Sequence, residues 1–273
     1  MKNILVTYDM TRGAREHLTA NVPGTFTFHT RPAKNELQSA DVIIGEPSAG
    51  ELDETKQNIT LITLDRKENY RIPAFSFYDH LIERASDWML ASILEHVFRF
   101  PEYIAAQKQC DWAPLLDSSL RNMVVISAAD DQISHTLADR LKVFGCEVRI
   151  VPGIDDNSLR SADVLCLHVL ANDPSYCALS AEMLKKMKNG ALLINCGCGA
   201  AVNEDDLVSV LHDGHYLHAC IDQTQVMPLP RNHPLWSLDS VRLTPQTVFN
   251  PSSPSFLSFI EKTVSLESLN HGC

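Results

Sequence analysis

The sequence has no long apolar run and no excess of positive charge. No apolar run approaches the roughly 20 residues that a membrane-spanning helix needs. Lys and Arg number 23 against 34 Asp and Glu, which gives a formal net charge of -11. Nucleic acids and anionic membranes attract proteins that carry an excess of Lys and Arg, so neither is expected as a partner.

A charged leader with a small-residue cleavage site is also missing, and Met1 to Asp9 is instead predicted to form a core strand. Several of the eight cysteines, including Cys146, Cys166 and Cys220, lie inside apolar runs. They are expected to be reduced, buried side chains and not parts of a disulfide framework. The sequence therefore predicts a cytoplasmic globular protein.

Short apolar runs alternate with amphipathic stretches, a pattern typical of βα units that build a parallel sheet. The predicted fold class is α/β. Four strands are expected in a small first domain, at Asn3 to Tyr8, Thr25 to His29, Val42 to Gly45 and Ile59 to Leu64, and Ile72 to Phe77 is a candidate fifth. Six more suit a dinucleotide-type sheet, at Met123 to Ile126, Glu147 to Val151, Val164 to His168, Ala191 to Asn195, Leu217 to Asp222 and Val241 to Leu243.

Helical spacing of apolar residues predicts one long helix over Tyr78 to Gln109. Trp88, Tyr103 and Trp112 lie along it and beyond its end, and such a stripe favours a dimer contact over a ligand stack. A last helix, Ser255 to Glu267, is expected to pack back on the first domain. A dispensable tail is predicted after it, from residue 268 to 273.

Three motifs carry a resemblance to a known family. They are Ser161-Ala-Asp-Val-Leu-Cys-Leu-His168, the run from Glu182 to Gly199, and His233-Pro-Leu-Trp236 followed by Leu243-Thr-Pro245. In order and spacing they resemble the D-isomer-specific 2-hydroxyacid dehydrogenases, from about Tyr78 to Pro251 and more weakly over Met1 to Pro47. The resemblance implies a smaller flavodoxin-like substrate domain (residues 1–80 and 252–273), a Rossmann-type doubly wound domain (residues 81–251), and homodimers joined through the Rossmann-type domains.

The resemblance places the family's glycine-rich pyrophosphate turn at Ser127 to Ser134, with the three glycines at Ala129, Asp131 and Ser134. Glycines there permit a tight turn and close backbone approach to phosphate. A carboxylate at Asp131 would repel the phosphate by on the order of 3 kcal/mol at about 5 Å and an effective dielectric near 20. Capping of the following helix by Asp130 and Asp131 is favoured over an unusual cofactor mode. No ribose-binding acid is visible at Val151-Pro152-Gly153, although Asp155 and Asp156 follow.

The family's reaction uses an Arg to hold the substrate carboxylate and a His tuned by a Glu to exchange the hydroxyl proton. The resemblance places Cys198, Met227 and Gln246 at the Arg, Glu and His positions. Gln cannot exchange a proton near neutral pH. The substrate-domain loop after Leu64 also looks shortened. His168 and Asp222 are the retained candidates for ligand contact, although a core histidine and a turn-capping Asp would explain them equally well.

Two other clusters could suggest a metal or a redox role, namely Cys196 with Cys198, and His212 with His215 and His218. Their spacing matches no common zinc pattern, so no metal is expected.

The leading hypothesis is therefore a catalytically degenerate homologue that needs no cofactor. It would be a dimeric scaffold, regulator or binder of a small ligand or a protein partner. The alternative is an active NAD(P)-dependent oxidoreductase on a small 2-hydroxy or 2-keto acid that uses substitute residues such as Cys198, Asp222 or a neighbouring Arg. A redox role of the Cys-x-Cys segment is a third possibility.

Overall fold

The structure is a computed structural model that describes residues 1–56, 58–64, 72–112, 114–115, 118–168 and 179–270, the last four of these by their backbone alone. Contacts divide the chain into two compact units, Met1–Leu81 with Phe249–Cys273, and Ile82–Val248. Each unit contains its own parallel sheet, so the predicted α/β class is confirmed. In this part of the chain, no helix is long and apolar enough to cross a membrane.

The first unit is built on a five-stranded parallel sheet in the order β2-β1-β3-β4-β5. This is the flavodoxin-like order of a doubly wound sheet. β3 and β4 are buried along their whole length, as expected for strands covered by helices on both faces. The elements are β1 Asn3–Val6, α1 Arg12–Asn21, β2 Thr25–Phe28, α2 Lys34–Ser39, β3 Val42–Ile44, α3 Ala49–Asp53, β4 Thr60–Thr63, β5 Ala74–Ser76 and, at the end of the chain, α10 Pro254–Asn270.

Helix α10 packs in the first unit, as predicted. Its Phe256 is fully buried, with ring centroids 5.8 Å from Tyr8 and 5.3 Å from Phe77. The helix extends beyond its predicted end at Glu267, because the backbone stays helical to Asn270. The loop that the sequence suggested was shortened, after Leu64, falls on residues 65–71 and lies outside the described residues.

The single long helix predicted over Tyr78 to Gln109 is wrong, because the structure has two helices. Helix α4 spans Tyr78–Val97, and α5 spans Phe100–Lys108. Arg99 between them has φ 53°, a left-handed conformation that ends α4. Pro101 explains the break, because its ring would clash with the carbonyl of Val97 in a continuous helix but fits the first turn of a new one.

The second unit is built on a six-stranded parallel sheet in the order β11-β10-β9-β8-β6-β7, a doubly wound parallel sheet as predicted. The predicted strand ends are correct to within one residue. The elements are β6 Val124–Ser127, α6 Gln132–Val143, β7 Glu147–Ile150, α7 Asp156–Ser161, β8 Val164–Leu167, α8 Ala181–Leu184, β9 Ala191–Asn195, α9 Glu204–His212, β10 Leu217–Ile221 and β11 Val241–Leu243.

Phe256→Ala should destabilise the protein by about 3–5 kcal/mol, because it leaves a cavity between α10 and the rings of Tyr8 and Phe77. The readout is the midpoint of urea unfolding followed by circular dichroism. Leu266→Ala is the control on the same helix; Leu266 is 59% exposed, and its replacement should change stability by less than about 0.5 kcal/mol. Equal effects of the two substitutions would contradict the packing of α10.

Candidate functional site

The residues singled out in the sequence of the second unit lie along one edge of its sheet. The carboxyl ends of parallel strands meet at the same edge, and this is where doubly wound sheets bind ligands. Following the strand order, this edge carries Gln246 after β11, Asp222 and Met227 after β10, Cys196 and Cys198 after β9, His168 after β8, and Ala129, Asp131 and Ser134 after β6. The fold therefore gathers all the family positions identified in the sequence.

Asp131 is the N-cap of helix α6. Its carboxylate accepts a hydrogen bond from the backbone N–H of Ser134 at 2.9 Å. The two carboxylate oxygens also lie 3.0 and 3.1 Å from Nε2 of His168. One helix N-terminus and one imidazole thus converge on a single carboxylate. This is the position where a Rossmann-type turn would present free N–H groups to a phosphate.

The His168 side chain is fully buried, whereas Asp131 keeps 32% of its side-chain surface exposed. Burial alone raises the pKa of the Asp131 carboxyl, but the hydrogen bond and charge of His168 and the Ser134 amide outweigh burial and lower it. Asp131 is therefore held as an anion. The other ring nitrogen of His168, Nδ1, is buried and has no hydrogen-bond partner among the described residues.

Ser134 fills the third glycine position of the turn without strain. Its hydroxyl donates to the carbonyl of Ala129 at 2.5 Å and lies 2.8 Å from the hydroxyl of Ser127. The residue is completely buried. These bonds tie the start of α6 to the end of β6, so the turn is closed by its own side chains.

Cys198, Met227 and Gln246 follow three neighbouring strands, as the resemblance implies for the Arg, Glu and His positions. Cys198 is half-buried and packs against the core of the second unit. Met227 is 46% exposed and precedes Pro228, to which it is joined by a cis peptide bond. Gln246 has φ 51° and donates its backbone N–H to the carbonyl of Asp222 at 2.9 Å.

Asp222 binds the loop that carries Gln246. Its carboxylate accepts from the hydroxyl of Thr244 at 2.8 Å and from the N–H groups of Thr247 and Val248 at 2.7 and 2.9 Å. Burial raises the pKa of Asp222, against these hydrogen bonds. Both retained candidates for ligand contact, Asp222 and His168, are therefore engaged inside the chain.

Sequence reasoning missed Asn195 as the residue that organises this edge. Its side-chain NH2 donates to the carbonyls of Cys198 and Gln223, and its Oδ1 accepts from the N–H of Gly197. The glycine at position 199 is the feature of the sequence that could have indicated this arrangement. A Cβ there would lie 2.1 Å from the carbonyl oxygen of Thr224, so the loop after β9 and the loop after β10 are in direct backbone contact.

The two clusters weighed as metal sites do not assemble. Among the described residues, no group of three His, Cys, Asp or Glu side chains could hold a metal ion. Burial raises the pKa of Cys196 well above the ordinary thiol value, so this thiol stays protonated. In the region of the ribose-binding position, Asp155 caps α7 through the N–H of Ser158, and Asp156 pairs with Lys186.

Asp131→Asn should lower the stability at neutral pH by about 1–2 kcal/mol, because the amide keeps the cap but loses the charged bond to His168. The folded-state pKa of Asp131 is lowered, so its contribution is present above the unfolded-state value near 4 and is lost as the pH falls below it. Urea midpoints at several pH values should therefore converge for the variant and the wild type in acid.

Asp130→Asn is the matched control, because Asp130 is 70% exposed and pairs with the exposed His135. It should leave the midpoint nearly unchanged at every pH. An Asp131→Asn protein as stable as wild type at neutral pH would contradict the role given to the Asp131–His168 contact.

The sequence profile described as "D-isomer specific 2-hydroxyacid dehydrogenase, NAD binding domain" matches residues 90–247. Two curated relatives are a glyoxylate/hydroxypyruvate reductase A of Serratia proteamaculans, 28% identical over 60% of this chain, and a glyoxylate reductase of Thermofilum pendens, 35% identical over 35% of it. The chain spans 58% and 30% of their respective lengths.

A crystal structure of an NADPH-dependent glyoxylate/hydroxypyruvate reductase from Sinorhizobium meliloti, in complex with NADP and sulfate, has the same fold. The TM-score is 0.71 at 20% sequence identity, and the similarity covers 98% of this chain and 96% of that one. Because the profile matches more than half of the sequence and the structural likeness covers nearly all of it, this chain belongs to the D-isomer-specific 2-hydroxyacid dehydrogenase family.

Proposed function

We propose that this chain is a 2-hydroxyacid dehydrogenase homologue without dehydrogenase activity, which acts as a dimeric scaffold, regulator or binder of a small ligand other than a dinucleotide. The observation that carries the proposal is the Asp131 carboxylate, which occupies the N-terminus of α6 and contacts His168 at 3.0 Å. A dinucleotide phosphate at this turn would have to displace the Asp131 carboxylate from the N-terminus of α6.

The residues of the turn do not fit a pyrophosphate. The Ser134 N–H is already bonded to Asp131, and side chains replace glycine at all three positions of the family turn. Repulsion of about 3 kcal/mol between the carboxylate and a phosphate about 5 Å away corresponds to roughly a hundredfold loss of affinity. NAD or NADP is therefore not expected as a resident cofactor.

The three catalytic positions lead to the same proposal. Reduction of a keto acid needs a cation for the substrate carboxylate and an acid–base pair for the hydroxyl proton. A thiol at Cys198 carries no fixed positive charge, and the thioether of Met227 cannot tune a base. The amide of Gln246 cannot exchange a proton near neutral pH. Both functions are thus missing at the positions that supply them in the family.

An active NAD(P)-dependent oxidoreductase is the second candidate, and the comparisons favour it at least as well. The relatives named above are glyoxylate and hydroxypyruvate reductases, and the Sinorhizobium structure holds NADP. Asp131 is one-third exposed, so its side chain has room to turn away from the helix. In this case Cys198 or Asp222 would have to supply the missing substrate and proton contacts.

A titration with NADH and NADPH, followed by protein-to-nicotinamide fluorescence transfer, separates the candidates. Wild type should show no saturable binding below about 1 mM. Asp131→Gly removes the carboxylate and restores a glycine of the turn, so it should bind at least about tenfold more tightly.

Asp130→Gly is the control for the loss of a neighbouring carboxylate and should not gain affinity. Micromolar binding by the wild type would contradict the proposal. Turnover of glyoxylate or hydroxypyruvate by that complex would then establish the second candidate.

We also propose that the chain forms a homodimer through helix α5 and the segment after it. Among the described residues, α5 buries no side chain, although helices this short are marginal without packing. Large apolar side chains are exposed on and around it: Phe98, Phe100, Tyr103, Ile104 and Trp112. Trp112 is 96% exposed and lines an apolar recess of about 590 Å³ with Tyr103 and Ala106. A second copy of the chain would cover this surface.

Replacing Phe100 and Trp112 together by Ser should convert a dimer into a monomer, because aromatic anchors carry most of the binding energy of such interfaces. Size-exclusion chromatography with light scattering would measure the change. Val143→Ser, at an apolar residue 85% exposed on α6, should leave the dimer intact. A wild type that is monomeric at micromolar concentration would contradict the proposal.

A cytoplasmic location is likewise proposed, supported by the buried free cysteines on β8 and β10, whose pKa values are raised by burial. The net charge of -11 supports the absence of nucleic acid and membrane partners.

A further inference from the structure

A recess of about 490 Å³ lies at the amino edge of the sheet of the second unit, opposite the edge that carries the family positions. It is formed by the end of α4, the start of α5 and the segments that lead into β6, β8, β9 and β10. Its lining is mostly polar and includes Arg121, Ser119 and Asn189, with His96, Tyr216 and His218 on one wall.

This recess has an excess of positive charge, whereas the whole chain has a net charge of -11. Three cations, Arg99, Arg121 and Lys188, line it with two acids. Arg99 pairs with Glu102 at 3.0 Å and Lys188 pairs with Asp163 at 2.7 Å. Among the described residues Arg121 has no acidic partner, so the described lining of the recess carries one more cation than it has acids.

The neutral groups beside Arg121 add hydrogen-bond donors. Asn189 accepts the N–H of Tyr216 with its Oδ1 at 3.2 Å, so its NH2 group remains available to donate. The hydroxyl oxygen of Ser119 accepts the N–H of Arg121 at 3.2 Å, which leaves its O–H as a donor. A guanidinium with amide and hydroxyl donors around it is the chemistry that recognises an oxyanion.

One wall of the recess is aromatic. The ring of His218 lies 4.7 Å from the ring of His96 and 4.8 Å from the ring of Tyr216, and its Nε2 lies 2.8 Å from the hydroxyl of Tyr216. Burial, and then the neighbouring His218, lower the pKa of His96 to about 4. The wall is therefore uncharged at neutral pH and suited to the carbon part of a small organic anion.

A second recess of about 270 Å³ shares His96 and His218 but has a different balance of charge. There Arg242 pairs with Glu95 at 2.6 Å, and Asp239 adds a further negative charge. An anion is disfavoured on that side of the histidine pair, so Arg121 marks the side on which binding is expected.

We propose that the recess around Arg121 binds a small oxyanion, a carboxylate or a phosphate monoester, with Arg121 as the main cation. The Asn189 amide and the Ser119 hydroxyl complete the contacts to the anion, and the His96–His218–Tyr216 wall packs against the rest of the ligand. This site is independent of whether the opposite edge of the sheet is catalytically active.

Inorganic phosphate and malonate are the two probes, titrated separately at constant ionic strength against chloride. Thermal stability should rise with probe concentration and then logarithmically above the dissociation constant, as expected for a ligand of the folded state. Imidazole proton signals of His96 and His218 should shift with the same midpoint. Arg121→Gln should weaken binding by about tenfold or more, because it removes a charge-assisted hydrogen bond.

Arg160→Gln is the matched control, because Arg160 is an exposed arginine of α7 outside the recess. It should bind both probes like wild type. Saturable binding of one probe alone would assign the site to phosphates or to carboxylates. Linear responses up to about 50 mM, or equal losses in the two variants, would overturn the proposal. So would an Arg121→Gln protein that changes oligomeric state while its affinity for the probes stays that of wild type.

Discussion

The carboxyl edge of the second sheet depends on one electrostatic contact, that of the Asp131 carboxylate with the N-terminus of α6 and with His168. The first N–H groups of a helix have no partner within the helix, and the helix dipole makes this end attractive to an anion. In most Rossmann-type turns a phosphate of the ligand meets this need. Here the chain meets it with its own carboxylate, and His168 from the neighbouring strand fixes that carboxylate in place.

This contact connects binding with stability. When a carboxylate of the chain occupies the positive end of the helix, the ligand-free protein gains stability. The same carboxylate weakens the attraction of the site for an anionic ligand. Internal hydrogen bonds of this kind continue along the edge of the sheet, because Asp222 binds the loop of Gln246 and Asn195 binds the loop of Cys198. Family membership and the arrangement of the strands are thus retained, while the polar groups that would meet a ligand bind one another.

The sequence predicted the parts of the fold that depend on local patterning. The apolar runs of β8 and β9 are long enough to specify buried parallel strands, and their predicted positions match the structure closely. The break between α4 and α5 was missed, because apolar spacing continues through Arg99 and the left-handed turn there is fixed only by Pro101 and the packing of both helices. Strand ends also depend on pairing with neighbours, so Tyr8 and His168 lie just beyond the strands in which they were placed.

The sequence allowed the residues of the candidate site to be predicted, but not the contacts between them. The motifs located Cys198, Met227 and Gln246, and the Asp residues near the start of α6 indicated a helix cap. The contact between Asp131 and His168 joins residues 37 positions apart, and it exists because β6 and β8 are neighbours in the sheet. The carboxylate of Asp222 likewise accepts hydrogen bonds from the backbone N–H groups of Thr247 and Val248, which no short motif reveals.

The close contact at Gly199 has a consequence for how the site could change. The loops that carry Cys198 and Met227 are held together by backbone packing at Gly199 and by hydrogen bonds from the Asn195 amide to main-chain carbonyls. Exchange of the side chains at positions 198 and 227 would leave these main-chain contacts in place, although a change at Cys198 would also alter its packing against the core of the second unit. The chemistry of this edge could therefore be altered by engineering, one side chain at a time, without rebuilding the main-chain frame.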